Sequence, residues 1–357
     1  MKHAIYIFYW IIGLLTISCS TNESGRVDFD ESSFAEKHLL KDGRFLFEDT
    51  LDLELLDPRW IRYHPDSFLV LQELRAPELI KIIDLKTLTT QSLVKSGRGP
   101  KEVISGWGIF IVGKDIWLYD AQKPKLLRLA KSDNRTFKVA EQVKINALHL
   151  TPPGFLNADT NYIGLLYNSK HRLSMYNPRG DLIKQTGTPP HFQHDNKSKP
   201  ELSTIFRSTI SASPDGQRIV LGCENTDIIE IYDFDKGFQK RFHGPFGHKF
   251  HVETTKSGNL TGQKVRPSLR AYRNAIGTEK GFYIGYNGLY KENKKQITEN
   301  SRLIPKHIFY FSWEGNPLKH YELDSSFRSF DFSTNKEKLF CITLTPAPKI
   351  MVYDFPN

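Results

Sequence analysis

Six arginines stand at or just ahead of short apolar runs: Arg59, Arg62, Arg207, Arg270, Arg273 and Arg328. A guanidinium holds paired N–H donors in one plane, a shape that matches a carboxylate, phosphate or sulfate. Brought together by a fold, the six would make an anion receptor. Spread apart, they would be edge caps forming salt bridges with neighbouring carboxylates. Histidines form a second group: His191 and His194 next to Asp195, then His243, His248 and His251. Imidazoles and a carboxylate from two neighbouring loops could bind zinc or another transition metal. They lack helical or strand spacing, so the plainer reading is solvated loop histidines. A third feature is Gly97-Arg98-Gly99-Pro100-Lys101-Glu102, echoed faintly by His243-Gly244-Pro245-Phe246-Gly247. A Gly-rich turn with an Arg suits a phosphate, but the Lys-Ser/Thr of a P-loop is missing. A backbone corner is the simpler expectation. The sequence holds no nucleophile elbow, no His-Glu-x-x-His and no Cys/His zinc spacing.

These side chains need a scaffold, and an internal repeat supplies one. An apolar strand ending in an aromatic and then Asp or Asn recurs at Ile116 to Asp120, Leu173 to Asn177, Ile228 to Asp233 and Ile350 to Asp354. Looser copies run from Ile80 to Asp84 and from Ile308 to Trp313. Turns rich in Gly, Pro, Lys or Asn follow most copies, as at Asn177 to Gly180 and Glu314 to Pro317. A second hairpin precedes each copy, most clearly where Pro214-Asp215-Gly216 joins two apolar strands between Ile210 and Gly222. Each unit therefore reads as four antiparallel strands that bury their faces only by stacking. Six such units arranged radially give an all-β fold, a six-bladed β-propeller. A β-sandwich would not repeat the same hairpin six times.

The sixth unit offers three strands, and the segment from Arg44 to Leu53 is a strand without a unit. We expect this N-terminal strand to pair beside Ile350 to Tyr353 and close the last blade, removing a free edge. The long connections are expected from Ser132 to Pro153, Gly187 to Phe206, His243 to Leu269 and Asn287 to His307. All would open on one face of the propeller, near which the arginines would meet at the mouth of the central channel. Concentrated there, they suggest recognition, although a surface also simply tolerates insertion.

Composition supports a folded protein. Of 357 residues, 39% are hydrophobic and 25% charged, unlike a disordered chain. The mean hydropathy of -0.43 excludes a bundle of membrane helices. Aromatics reach 12%, with 24 Phe and 15 Tyr, which leans towards strands. The formal charge of +9 is well mixed, with no lysine block, and reads as solubility rather than nucleic-acid binding.

The N-terminus carries an address. Lys2 and His3 precede an apolar run from Ala4 to Ile17, too short for a comfortable membrane span, and Ser18-Cys19 follows. Leu15-Thr16-Ile17-Ser18-Cys19 resembles a bacterial lipobox, although Thr16 stands where Leu is commonest. An ordinary cleaved signal with a chance Cys is the alternative. Residues 1–18 then read as a lipoprotein signal peptide, 19–38 as a flexible tether after a lipidated Cys19, and 39–357 as the propeller. Cys223 and Cys341 occupy equivalent places in non-neighbouring units and are expected as buried free thiols.

The lipobox at Cys19, the Gly-x-Gly-Pro-x-Glu stretch from Gly97 to Glu102, and the six units through Asp354 together resemble the TolB-like six-bladed propeller lipoproteins of Bacteroidota. That resemblance implies a membrane-anchored propeller at the cell envelope. It implies no activity and marks no catalytic residue. Two functions are therefore open. One is a non-enzymatic binding module that takes a peptide, a glycan or an envelope protein on the loop-rich face. The other is a metal-dependent hydrolase or lyase, lactonase-like, at the channel mouth, which would need inward carboxylates, Asn or His around a cation. Asp66, Asp159, Asp215 and Asp331 lie near inner hairpins, but the turns holding the first three should open on the opposite face. The sequence specifies no cofactor.

Overall fold

A computed structural model describes residues 26–47, 53–132, 135–146, 150–156, 161–166, 170–190, 202, 205–257, 260–290, 305–344 and 347–356. The signal, Cys19, His191, His194 and Asp159 lie outside the described residues. Six antiparallel sheets follow one another along the chain. Blade one comprises Pro58–His64, Phe68–Glu73, Glu78–Asp84 and Thr90–Lys95. Blade two comprises Gly106–Val112, Asp115–Asp120, Lys125–Lys131 and Phe137–Lys144, and blade three Leu150–Leu156, Tyr162–Leu166, Leu173–Tyr176 and Leu182–Thr186. Blade four runs through Ser208–Ala212, Arg218–Cys223, Ile228–Asp233 and Gly237–His243. Blade five uses Leu269–Gly277, Gly281–Tyr290, His307–Ser312 and Pro317–Leu323, and blade six Ser329–Phe332, Lys338–Thr343 and Lys349–Asp354.

The repeated aromatic-Asp pair has a physical reason. Tyr176, Tyr232 and Tyr353 close the third strands of their blades and are buried in the cores between sheets. The Asp or Asn that follows caps its turn: Asp233 accepts from the backbone N–H of Asp235 and Lys236, and Asn177 from Arg179 and Asp181. In blades three and four the repeat is thus a buried ring followed by an Asx turn, whereas Asp354 in blade six pairs with Lys338 and Arg44. Blade two departs from it. Ile116 to Asp120 lies in the second strand rather than the third, and the third, Lys125–Lys131, has no such pair. The expected connection from Ser132 to Pro153 is corrected accordingly, because it contains the blade's outer strand Phe137–Lys144.

Of the remaining long connections, those expected from Gly187 to Phe206 and from Asn287 to His307 lie mostly outside the described residues. The one between blades four and five carries its own hairpin, His251–Ser257 with Leu260–Arg266.

Closure is as expected and has a second component. Arg44–Phe45 pairs antiparallel with Val352 and Met351, and Leu46 N–H continues the ladder to Ile350 O at 2.9 Å. Upstream, Glu36–Leu40 adds a parallel fifth strand to blade five, from Glu36 opposite Lys319 to Leu40 opposite Leu323. Phe29 and Phe34 are buried against Phe309 and Phe311, and Asp28 and Phe29 N–H both donate to His243 O. Residues 28–38 are therefore a strap across blades four and five, not the flexible tether expected to Lys37 and His38. The two apolar rings at 29 and 34 drive the docking, a spacing too sparse to read as a strand.

Candidate functional site

Four of the six arginines meet. Arg59, Arg207, Arg273 and Arg328 line one concave mouth of about 100 Å³ with Trp60, Trp107, Thr209, Glu224 and Asn274. They arrive from blades one, four, five and six: Arg59, Arg207 and Arg328 at or just ahead of the start of the innermost strand, and Arg273 from midway along it, not ahead of it as expected. Two bulges shape the blade-five contribution, between Arg270 and Tyr272 and between Arg273 and Ala275. Asn274, inside the second, has φ 49, a left-handed conformation that Asn tolerates better than most residues. Bulges re-aim side chains, and here Arg273 turns into the mouth from within a strand. Arg270 stands beside it, and Arg62 sits deeper, its Nη1 donating to Ile61 O at 2.8 Å and Asn274 Oδ1 at 3.3 Å. Arg62 belongs to a second cavity of about 380 Å³, the channel proper, which shares Trp60, Thr209 and Asn274 with the mouth.

Positive charge exceeds the carboxylates that answer it. Asp57 serves Arg328 at 2.7 Å and Arg59 at 3.3 Å, and Glu224 lies 3.4 Å from Arg207. Arg270 and Arg273 form no ion pair among the described residues. Arg59 and Arg270 each hold a buried Nε–H with no hydrogen-bond acceptor there, while Arg207 Nε meets Glu224 as an ion pair without hydrogen-bond geometry. A buried, unmatched donor of this kind costs roughly 1–3 kcal/mol. Burial, with Arg59 and Arg273 adding repulsion, lowers the Arg328 pKa to about 10. Burial also pulls Arg273 down, with Arg59 and Arg207 pushing the same way and Glu224 opposing them. Each guanidinium thus makes its neighbours harder to keep charged.

The frame around them is rigid. Arg172, buried, donates to Glu230 at 2.9 Å and to Ser208 Oγ at 2.7 Å, and Arg241 reaches Glu230 at 2.8 Å. That network fixes Ser208, the residue after Arg207. Trp107 Nε1 donates to Ser105 Oγ at 2.8 Å, and its ring lies edge-on to Trp60 and under Arg207 at 5.6 Å. Neither tryptophan was read as a site residue from the sequence. Their signal was position, because each opens the innermost strand of its blade beside the mouth.

The other expected features resolve differently. His248 is buried, with Nε2 3.0 Å from Pro267 O, and stacks on Phe250. His243 is buried with its backbone bound to the strap, and exposed His251 pairs with Glu253 at 3.0 Å. Among the described residues, no three His, Cys, Asp or Glu converge as a metal set. Asp66 pairs with Lys131 and Asp215 with Ser213, both at turns on the opposite face. Among the described residues, Asp331 alone of the carboxylates expected near inner hairpins lines the channel, accepting from Tyr63 N–H at 2.9 Å. Cys223 and Cys341 are buried and free.

The Gly97 to Glu102 stretch is a corner. Glu102 Oε2 accepts from Gly99 N–H at 2.8 Å, and a Cβ at Gly97 would land on that carboxylate. Gly97 N–H donates to Val103 O at 3.1 Å, so the loop folds back on itself between blades one and two.

Six sheets closed by an N-terminal strand, around a channel with a cationic mouth, define an all-β six-bladed propeller. The chain belongs to the TolB-like 6-blade propeller-like family, which it matches over residues 66–335. No functionally curated protein matches the sequence. Solved structures share the fold at low identity. An exported protein from Bacteroides fragilis NCTC 9343 is 13% identical with a TM-score of 0.51, over 90% of this chain and 99% of that one. A gluconolactonase from Xanthomonas campestris is 11% identical with a TM-score of 0.50, over 89% and 91% of the two chains.

Proposed function

We propose that the protein is a cell-envelope lipoprotein, anchored through Cys19, that binds an anionic ligand in the arginine-lined mouth without transforming it. The ligand's carboxylate, phosphate or sulfate would belong to a peptide, a glycan or an envelope protein. One observation carries the reading: Arg59, Arg207, Arg273 and Arg328 converge from four blades upon two carboxylates. The buried Nε–H groups and the charge surplus are what an anion would satisfy. Trp60 and Trp107 add a flat apolar wall suited to the body of such a ligand. The signal-like N-terminus and lipobox support the envelope address. Residues from Phe29 onward hold the strap on the propeller, which leaves the stretch between Cys19 and Asp28 to span from lipid to fold.

The test is binding to a panel of acidic and neutral glycans at low salt. Wild type should retain acidic members selectively, and Arg207→Ala with Arg273→Ala should lose them. Equal retention by the variant would remove the mouth from the account.

A further inference from the structure

A second cationic hollow lies on the same face, towards the rim of blade two. Its volume is about 810 Å³, and Arg98, Lys123, Lys125 and Lys144 line it together with Pro100, Pro124, Gln142, Ile145 and Asn146. The corner that brings Arg98 here is the glycine loop, and Lys123 and Lys125 come from the crossing between the blade's second and third strands. Lys125 is 5% exposed, yet its ammonium reaches only uncharged oxygens: Glu102 O at 2.7 Å, Gln142 Oε1 at 3.3 Å and Gly99 O at 3.5 Å. Lys123 Nζ donates to Arg98 O at 2.9 Å. None of the four cations forms an ion pair among the described residues.

Asp181, which accepts from Asn146 Nδ2 at 3.3 Å, is answered by Arg179 at 3.6 Å. Two further carboxylates stand close by, and both are already spent on backbone donors. Asp120 accepts from Ile104, Ser105 and Gln122 N–H, and Glu102 from Gly99 N–H. Four cations against two carboxylates leave a surplus of two positive charges. A phosphate monoester carries about 1.5 to 2 negative charges near neutrality, which matches that surplus. The two prolines and Ile145 supply apolar wall for an organic body.

We infer that this hollow binds a phosphate monoester on a sugar-sized or lipid body, at a site separate from the arginine mouth. Lys125 braces the corner and holds the field there, while Arg98, Lys123 and Lys144, all exposed, grip the phosphate.

The experiment titrates glucose 6-phosphate and glucose into the full chain by calorimetry at low salt. The arginine mouth also attracts phosphate, so the comparison is made with the mouth disabled: R207A/R273A is set against R98A/K123A/K144A built on it, the triple variant. R207A/R273A should bind the ester but not glucose. The triple variant should bind it at least about tenfold more weakly, with a melting temperature unchanged from that parent because the three further side chains are exposed. A parallel arm measures the excess of binding to phosphatidic acid vesicles over phosphatidylcholine vesicles. An excess lost in the triple variant assigns the phosphate to a lipid, and binding of the soluble ester alone assigns it to a soluble sugar phosphate. Glucose binding as well as its phosphate, equal affinity of the triple variant and its R207A/R273A parent, or binding in neither arm would overturn the inference.

Discussion

Arg328 Nη1 donates to Asp57 Oδ1 at 2.7 Å, joining residues from the last and first blades across the seam of the ring. The same Asp57 also faces Arg59, so the closure of the propeller and the charge of its mouth share one carboxylate. Closure consumes it, and Arg273 forms no ion pair among the described residues.

Arg328→Ala is therefore a stability variant. Both members of the pair are nearly buried, at 10% and 13% exposure of their side chains. We expect a loss of about 1–3 kcal/mol, since Asp57 keeps Arg59 and is not orphaned. Urea denaturation checks it; an unchanged midpoint would show that the seam does not depend on this pair.

Acid should loosen the strap. His320 lies beneath Phe34, with Nε2 3.1 Å from His307 Nδ1. Burial lowers the His320 pKa to about 4, with the charges of His307 and Lys37 adding to the effect. Burial likewise lowers His307, with Lys306 adding and Glu322 and Glu31 opposing. Both groups are held neutral in the fold and gain protons more readily when unfolded, near pH 6.5. Between pH 6.5 and about 4 the unfolded state binds more protons, so stability falls as pH falls. His320 alone should account for roughly 3 kcal/mol at the acid end. Comparing denaturation midpoints at high and low pH for wild type and His320→Gln isolates it: the variant should show the shallower fall, and parallel curves would refute the assignment.

Much of this was legible in the residues. The aromatic-Asp repeat revealed six blades because a buried ring and an Asx turn leave a pattern in one dimension, and the lone strand at Arg44 revealed the closure. Blade two misled because Ile116 to Asp120 carries the same pattern one strand early. Spacing alone does not say which strand of a sheet it marks. The strap went unread because two phenylalanines in a polar stretch resemble a linker until Phe309 and Phe311 are in place. Position at the start of the inner strands located Arg59, Arg207 and Arg328, whereas Arg273 lies within its strand and is re-aimed by a bulge, and the shortage of carboxylates needed coordinates. The histidines showed the reverse weakness: proximity in sequence was no guide, and His248 is committed to Pro267.

The decisive measurement is on Arg273→Gln, for which stability and anion binding are read on the same sample. If the mouth exists to hold an anion, removing one unpaired guanidinium from a crowd of others should leave the denaturation midpoint unchanged or raise it. Retention of acidic glycans should meanwhile fall about tenfold or more. A variant that unfolds more easily yet binds as wild type does would make the arginines braces of the blades, and the receptor would not stand.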